Sequence, residues 1–113
     1  MAKWKDLIPA NEEIIVASNG SFGEPAKPQM GMLVLAAKKI YVIYFEGLMA
    51  NIPKLYRTIQ LVKVQNAQIT GDVMRSLEFD YDVKERNEHV KFTSLDYEVR
   101  KLLEEIEYAA DNP

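Results

Sequence analysis

Apolar and polar positions alternate with period two over most of the chain, then change to period 3.6 near its end. The clearest stretch is Leu77–Val83, where Leu77, Phe79, Tyr81 and Val83 alternate with Glu78, Asp80 and Asp82. That pattern predicts a strand with one buried and one solvated face. Lys84–Asn87 reads as a turn, after which Val90 and Phe92 alternate with His89, Lys91 and Thr93 in a short last strand. Upstream, Leu55–Leu61 and Val64–Thr70 are strands, with a turn at Gly71-Asp72. Met32–Ala37 and Ile40–Glu46 are two strands joined at Lys38-Lys39, hence a hairpin. Glu13–Ser18 is a first strand around Ile14-Ile15-Val16. Asn19–Met30 and Gly47–Lys54 are loops, because Gly, Pro and Asn punctuate them. Trp4, Leu7 and Ile8 stand at i, i+3 and i+4, which predicts one helical turn ended by Pro9.

From Leu95 to Ala110 the apolar stripe Leu95, Val99, Leu102, Leu103, Ile106, Ala110 predicts an amphipathic helix. Thr93 or Ser94 is placed to cap it, and Asp96 and Glu98 suit its positive end. Asp96 and Arg100 form an i,i+4 pair in the favourable orientation. The stripe has only the sheet to lie on.

The hairpin Gly31–Glu46 departs from simple alternation, since both its faces are apolar. Met32, Val34 and Ala36 oppose Leu33 and Leu35; Ile40, Val42 and Tyr44 oppose Tyr41, Ile43 and Phe45. One face belongs to the core and the other needs cover. Two covers are open: the Trp4 turn of the same chain, or a second subunit meeting Tyr41, Ile43, Phe45 and Trp4. Aromatic residues suit interface cores, and an edge strand invites strand-to-strand pairing.

At 113 residues the chain is one domain in length, with a core from about residue 12 to 110 and a short turn over 1–9. The absence of Cys removes thiol catalysis, disulfides and cysteine-ligated metals. A net charge of −3 argues against nucleic-acid binding, which needs phosphate-neutralising charge. No apolar run is long enough for a signal peptide or a membrane span. The expectation is a cytoplasmic protein.

Antiparallel strands followed by one amphipathic helix is the element order of the pleckstrin-homology (PH) superfold. Glu12-Glu13-Ile14 and the run Gly31-Met32-Leu33-Val34-Leu35-Ala36-Ala37-Lys38-Lys39-Ile40-Tyr41-Val42-Ile43 resemble the short bacterial PH-like and GRAM-like domains. Thr58–Val64 resembles the strand and turn that follow in that family. Ala36, Ala37 and Lys39 depart from the residues usual at the hairpin turn. The resemblance implies a mainly β fold, a seven-stranded antiparallel sandwich or partly open barrel capped by the C-terminal helix. It also implies a binding or assembly module rather than an enzyme, with no cofactor.

The residues agree with that implication. His89 is the one histidine and no phosphate loop or nucleophile motif occurs. The row Glu78, Asp80, Asp82 reads as a solvated face paired across to Lys91, since Ca²⁺ needs about 6–8 oxygens curled around it. PH modules that bind phosphoinositides carry several Lys/Arg between their first two strands. Here that loop offers Lys27 against Glu24, and nearby Lys54, Lys84 and Arg86 are set against Glu85 and Glu88. Lipid binding through charge is therefore expected to be weak. The same loops carry Phe22, Leu48, Met49 and Ile52, which either fold onto the core or form an apolar rim for a partner or a bilayer. The expectation is a non-catalytic, self-associating module for a protein partner, with membrane contact through the loop tips as the alternative.

Overall fold

A computed structural model describes residues 3–23 and 26–111. Its elements are a 3-10 turn at Trp4–Leu7, then β1 (Ile14–Phe22), β2 (Gln29–Ala36), β3 (Lys39–Glu46) and β4 (Ile52–Gln60). A second 3-10 turn, Leu61–Lys63, leads to β5 (Val64–Thr70), β6 (Arg75–Val83), β7 (Arg86–Ser94) and α1 (Asp96–Asp111). The fold is PH-like and mainly β: seven antiparallel strands in one sheet of order β4-β3-β2-β1-β7-β6-β5, with a single C-terminal helix. The sheet bends at β1 and β7, which share only the pairs Ser21↔Thr93 and Phe22↔Phe92. β4 and β5 are not paired with each other, so the barrel stays open along that seam.

The main core lies inside the bend and is built from the alternation read above. Leu33, Leu35, Ile40, Val42, Leu77, Phe79 and Phe92 are buried there, and Val99, Leu102 and Ile106 of α1 close it. Leu95 is left outside at 61% exposed, because it precedes the helix and contributes its carbonyl to the Glu98 and Val99 N–H groups. Ser94 does not cap α1; its hydroxyl donates to the Asn19 carbonyl and ties β7 to β1. Asp96 accepts from Arg100 Nε at 2.7 Å, the expected helical pair. The side chain of Ala110 lies outside the described residues, as do Glu24 and Pro25.

β2 and β6 start earlier than the sequence predicts, at Gln29 and Arg75, and three further boundaries differ for a physical reason. β1 runs on to Phe22 through Asn19-Gly20, which the turn-forming residues had suggested was loop. A Cβ on Gly20 would stand 2.3 Å from the Thr93 carbonyl oxygen and 2.7 Å from the Phe92 ring. Opposite it in the ladder, a Cβ on Gly31 would stand 2.1 Å from the Ile43 carbonyl oxygen. These two glycines permit close approach of strands rather than a turn. β4 starts at Ile52 rather than Leu55 and includes Pro53, which an edge strand tolerates. β7 starts at Arg86, leaving a two-residue turn with Lys84 at φ 56°.

The outer face of the hairpin forms a second cluster. Met32, Val34, Ala36, Tyr41 and Ile43 are buried there with Ile8, and Trp4, Leu7, Ile14 and Phe45 pack around them. The N-terminal segment supplies the cover. Glu12 fixes it by accepting from the Tyr41 hydroxyl at 3.1 Å and pairing with Lys39 at 3.7 Å. Tyr41 and Ile43, expected as a candidate interface, are therefore interior residues of one chain. Both outer edges are also interrupted. β4 carries Pro53 and a bulge opposite Val42/Ile43, and β5 carries a bulge between Gln65 and Gln68 with Asn66 at φ 56°. Such features resist edge-to-edge pairing.

Candidate functional site

The open seam holds the most developed concave site. Its position follows from the β4 bulge. Val42 pairs with Arg57 but Ile43 pairs with Leu55, so Tyr56 is the extra residue. A bulge of this kind re-aims side chains. Tyr56 and Arg57, adjacent in sequence, both line the same cleft, a cavity of about 220 Å³. Phe22, Val42, Tyr44, Tyr81, Glu88 and Val90 contribute most of the remaining wall.

The aromatic residues form a continuous surface. Tyr44 and Tyr56 stack at 4.3 Å between centroids with planes 12° apart. Phe22 touches Tyr44 at 5.5 Å and Phe92 at 5.0 Å. The Arg57 guanidinium carbon lies 5.3 Å from the Tyr56 ring centroid, within cation–π range. Burial pushes the Tyr44 hydroxyl up to about 12, with the neighbouring Tyr56 adding to the effect. Burial also raises Tyr81, against the charge of Arg57. Arg57 Nε is buried and has no hydrogen-bond partner among the described residues. A donor in that state costs free energy unless something else accepts from it.

The loop-tip residues named from the sequence separate into two groups. Phe22 is not at a tip; it is 5% exposed and belongs to the core. Leu48 and Met49 are 107% and 80% exposed on the turn between β3 and β4, and Ile52 is half-exposed beside them. Lys27 is exposed. Lys54 pairs with Glu46 at 3.1 Å and Arg86 with Glu88 at 3.7 Å, so these two cations each have an acid alongside. Trp4 and Phe45, half-buried in the outer cluster, also line a groove of about 510 Å³ with Lys3, Lys5, Ala50, Asn51 and Pro53.

The carboxylate row faces Lys91 across the strand pair, as expected, and also engages His89. The ring nitrogens lie 2.6 Å from Asp80 Oδ1 and 2.8 Å from Glu78 Oε1. Hydrogen bonds to Asp80 first, then Glu78, raise the His89 pKa. Glu78 is lowered, mainly by the Thr70 hydroxyl and then by His89, and Asp80 is lowered by His89 and Asn66. Among the described residues, no group of three or more His, Cys, Asp or Glu is placed to hold a metal ion.

Sequence reasoning missed Tyr44, Tyr56, Arg57 and Tyr81 as a site. Each falls within an unremarkable strand pattern, and only the bulge and the open seam bring them together. An excess of tyrosine, six in all, was the one available hint.

No protein-family model matches the chain, and no curated protein matches it. Solved structures do. One is the human RhoA complex with the DH/PH fragment of PDZRhoGEF (TM-score 0.73, 13% identity), matched over 97% of this chain and 32% of that one. A second is the hSac2 domain of the human phosphoinositide phosphatase Sac2 (TM-score 0.68, 14% identity), over 96% of this chain and 76% of the other. A third is the C-terminal domain of an unknown protein from Leishmania infantum (TM-score 0.55, 14% identity), over 91% and 90%. This chain spans about a third of the first of these, and at such identities the likeness establishes the fold alone, which is PH-like.

Proposed function

We propose that the protein is a non-catalytic docking module that holds a segment of a protein partner in the cleft between β4 and the β6–β7 hairpin. The observation that carries this reading is the stacked Tyr44–Tyr56 pair beside Arg57, whose buried Nε is unpartnered. Aromatic and arginine side chains around a small concavity are the composition of interface anchor sites. At about 220 Å³ the cleft accommodates an anchoring side chain rather than a whole helix. Neighbours such as the PDZRhoGEF fragment occur in a complex with a protein, which fits the reading by analogy alone. The family resemblance of the hairpin to short bacterial PH-like domains points the same way. This reading does not draw on self-association, because the face that called for a second copy packs against the chain's own N-terminal segment. Selection of a random peptide library on the full chain tests the proposal. Recovered peptides should lose binding to the Tyr56→Ala variant while that variant stays folded. Peptides that bind it unchanged would remove the cleft from consideration.

A second reading, shallow membrane contact, is favoured by a separate observation. Leu48 and Met49 project fully from the β3–β4 turn, next to the groove that carries Trp4, Lys3 and Lys5. Apolar tips with a neighbouring Trp and Lys suit a bilayer interface. Co-sedimentation with neutral and anionic vesicles separates the two mechanisms. Binding that ignores salt and is lost in Met49→Ser marks apolar insertion.

A further inference from the structure

We infer that the cleft selects a carboxylate carried by a peptide segment, which Arg57 receives among Tyr44, Tyr56 and Tyr81. This deepens the docking reading above and rests on it. Three features of the cleft lead there. Arg57 Nε is buried without an acceptor among the described residues, so an incoming oxygen would meet a donor left unsatisfied there. A guanidinium edge presents paired N–H donors that match the two oxygens of a carboxylate. Tyr56 lies against the guanidinium and holds its orientation, while Tyr44 on the paired strand β3 stacks on Tyr56.

Charge narrows the ligand further. Glu88 lines the same cleft and pairs with Arg86 at 3.7 Å. The neighbouring outer face of β6 carries Glu78 and Asp80. Arg57 and Lys91 line the cleft together with Glu88 and His89, so the local field accepts an added negative charge. Phe22, Val42 and Val90 add apolar wall, which suits a carboxylate borne on or beside an apolar or aromatic residue.

The test uses the full chain with nitrogen-15 labelling and three probes at millimolar concentration: N-acetylphenylalanine, its carboxamide, and inositol hexakisphosphate. The acid should move the Arg57 Nε–H resonance and bind at least about tenfold more tightly than the amide. Arg57→Lys keeps the charge but loses the paired donors. It should erase the difference between acid and amide while preserving the dispersed spectrum of the folded domain. If acid and amide shift the cleft tyrosines equally, the docking cleft stands and carboxylate selection falls. If neither probe shifts them, both fall. Tighter binding of the hexakisphosphate at the same residues would overturn the inference in favour of a polyphosphate site.

Discussion

The two sides of the β1–β4 half of the sheet have had opposite fates. The outer side, around Val34, Tyr41 and Ile43, is sealed by Trp4, Leu7 and Ile8 of the same chain. The inner side is sealed by α1 at one end but left open at the other, where Tyr44, Tyr56 and Arg57 stand at a seam with no paired strand. The sealed side is apolar with one satisfied hydroxyl, Tyr41 on Glu12. The open side keeps polar tips on apolar bodies and one unsatisfied donor. An apolar surface can be closed by any apolar segment of the right size. A surface with aimed donors is closed only by matching acceptors, and among the described residues none reaches Arg57 Nε.

The comparison can be broken most severely in the sealed regions. Phe92→Ala, under the Gly20 contact and fully buried, should cost about 3–5 kcal/mol, and Leu102→Ala about 2–5 kcal/mol, read by urea unfolding. Ile43→Lys should unfold the domain, because that side chain is 0% exposed beneath the N-terminal segment. A folded, dissociated subunit would instead mean that Ile43 belongs to an interface between copies. Light scattering at micromolar concentration should return a monomer of 13.0 kDa. Trp4→Ala opens the same cluster from its half-exposed rim. Its cost should be smaller, about 1–2 kcal/mol, and exposure of the apolar face should make the variant associate with rising concentration. A stable dimer of the unmodified protein would contradict this account.

The polar outer face of β6 and β7 should produce a pH signature of modest size. His89 has its pKa raised above 6.5, so its contribution is full below pH 6.5 and is lost as pH rises through the folded value. Glu78 and Asp80 are lowered from 4.5 and 3.8, so theirs is full above those values and is lost as pH falls through the folded ones. Stability should therefore crest in mildly acidic solution. His89→Gln should flatten the alkaline fall; an unchanged pH profile would mean that the ring is not held between Asp80 and Glu78. Smallest of all, Tyr56→Ala and Met49→Ser should leave the unfolding midpoint nearly unmoved, since these side chains are largely exposed. Their effects should appear in binding.

Much of the fold was legible because burial repeats with the period of the backbone. Leu77, Phe79 and Tyr81 point inward and Val99, Leu102 and Ile106 line the helix because each set shares one face. The sequence could not choose between two covers for Ile43, since that choice depends on whether the first residues reach β3. Nor could it show that Asn19-Gly20 continues a strand. The reason is the Phe92 ring, more than seventy positions away, which needs the missing Cβ. The cleft was hidden for a similar reason. Deleting the alternation at one residue, Tyr56, moved two side chains to one side, and periodicity carries no mark of a bulge before the partner strand is known.

The N-terminal cover also sets an order of events. Trp4, Leu7 and Ile8 precede the strands in the chain, but their seat exists only once β2 and β3 have paired at Gly31↔Tyr44 and Leu35↔Ile40. Non-local closure of this kind is slow relative to hairpin formation. Until then the segment is an unattached apolar stretch. Because Trp4 is the one tryptophan, its fluorescence reports that late step directly. In refolding it should change after the far-ultraviolet β signal. Simultaneous change would mean that the segment docks as part of the folding nucleus.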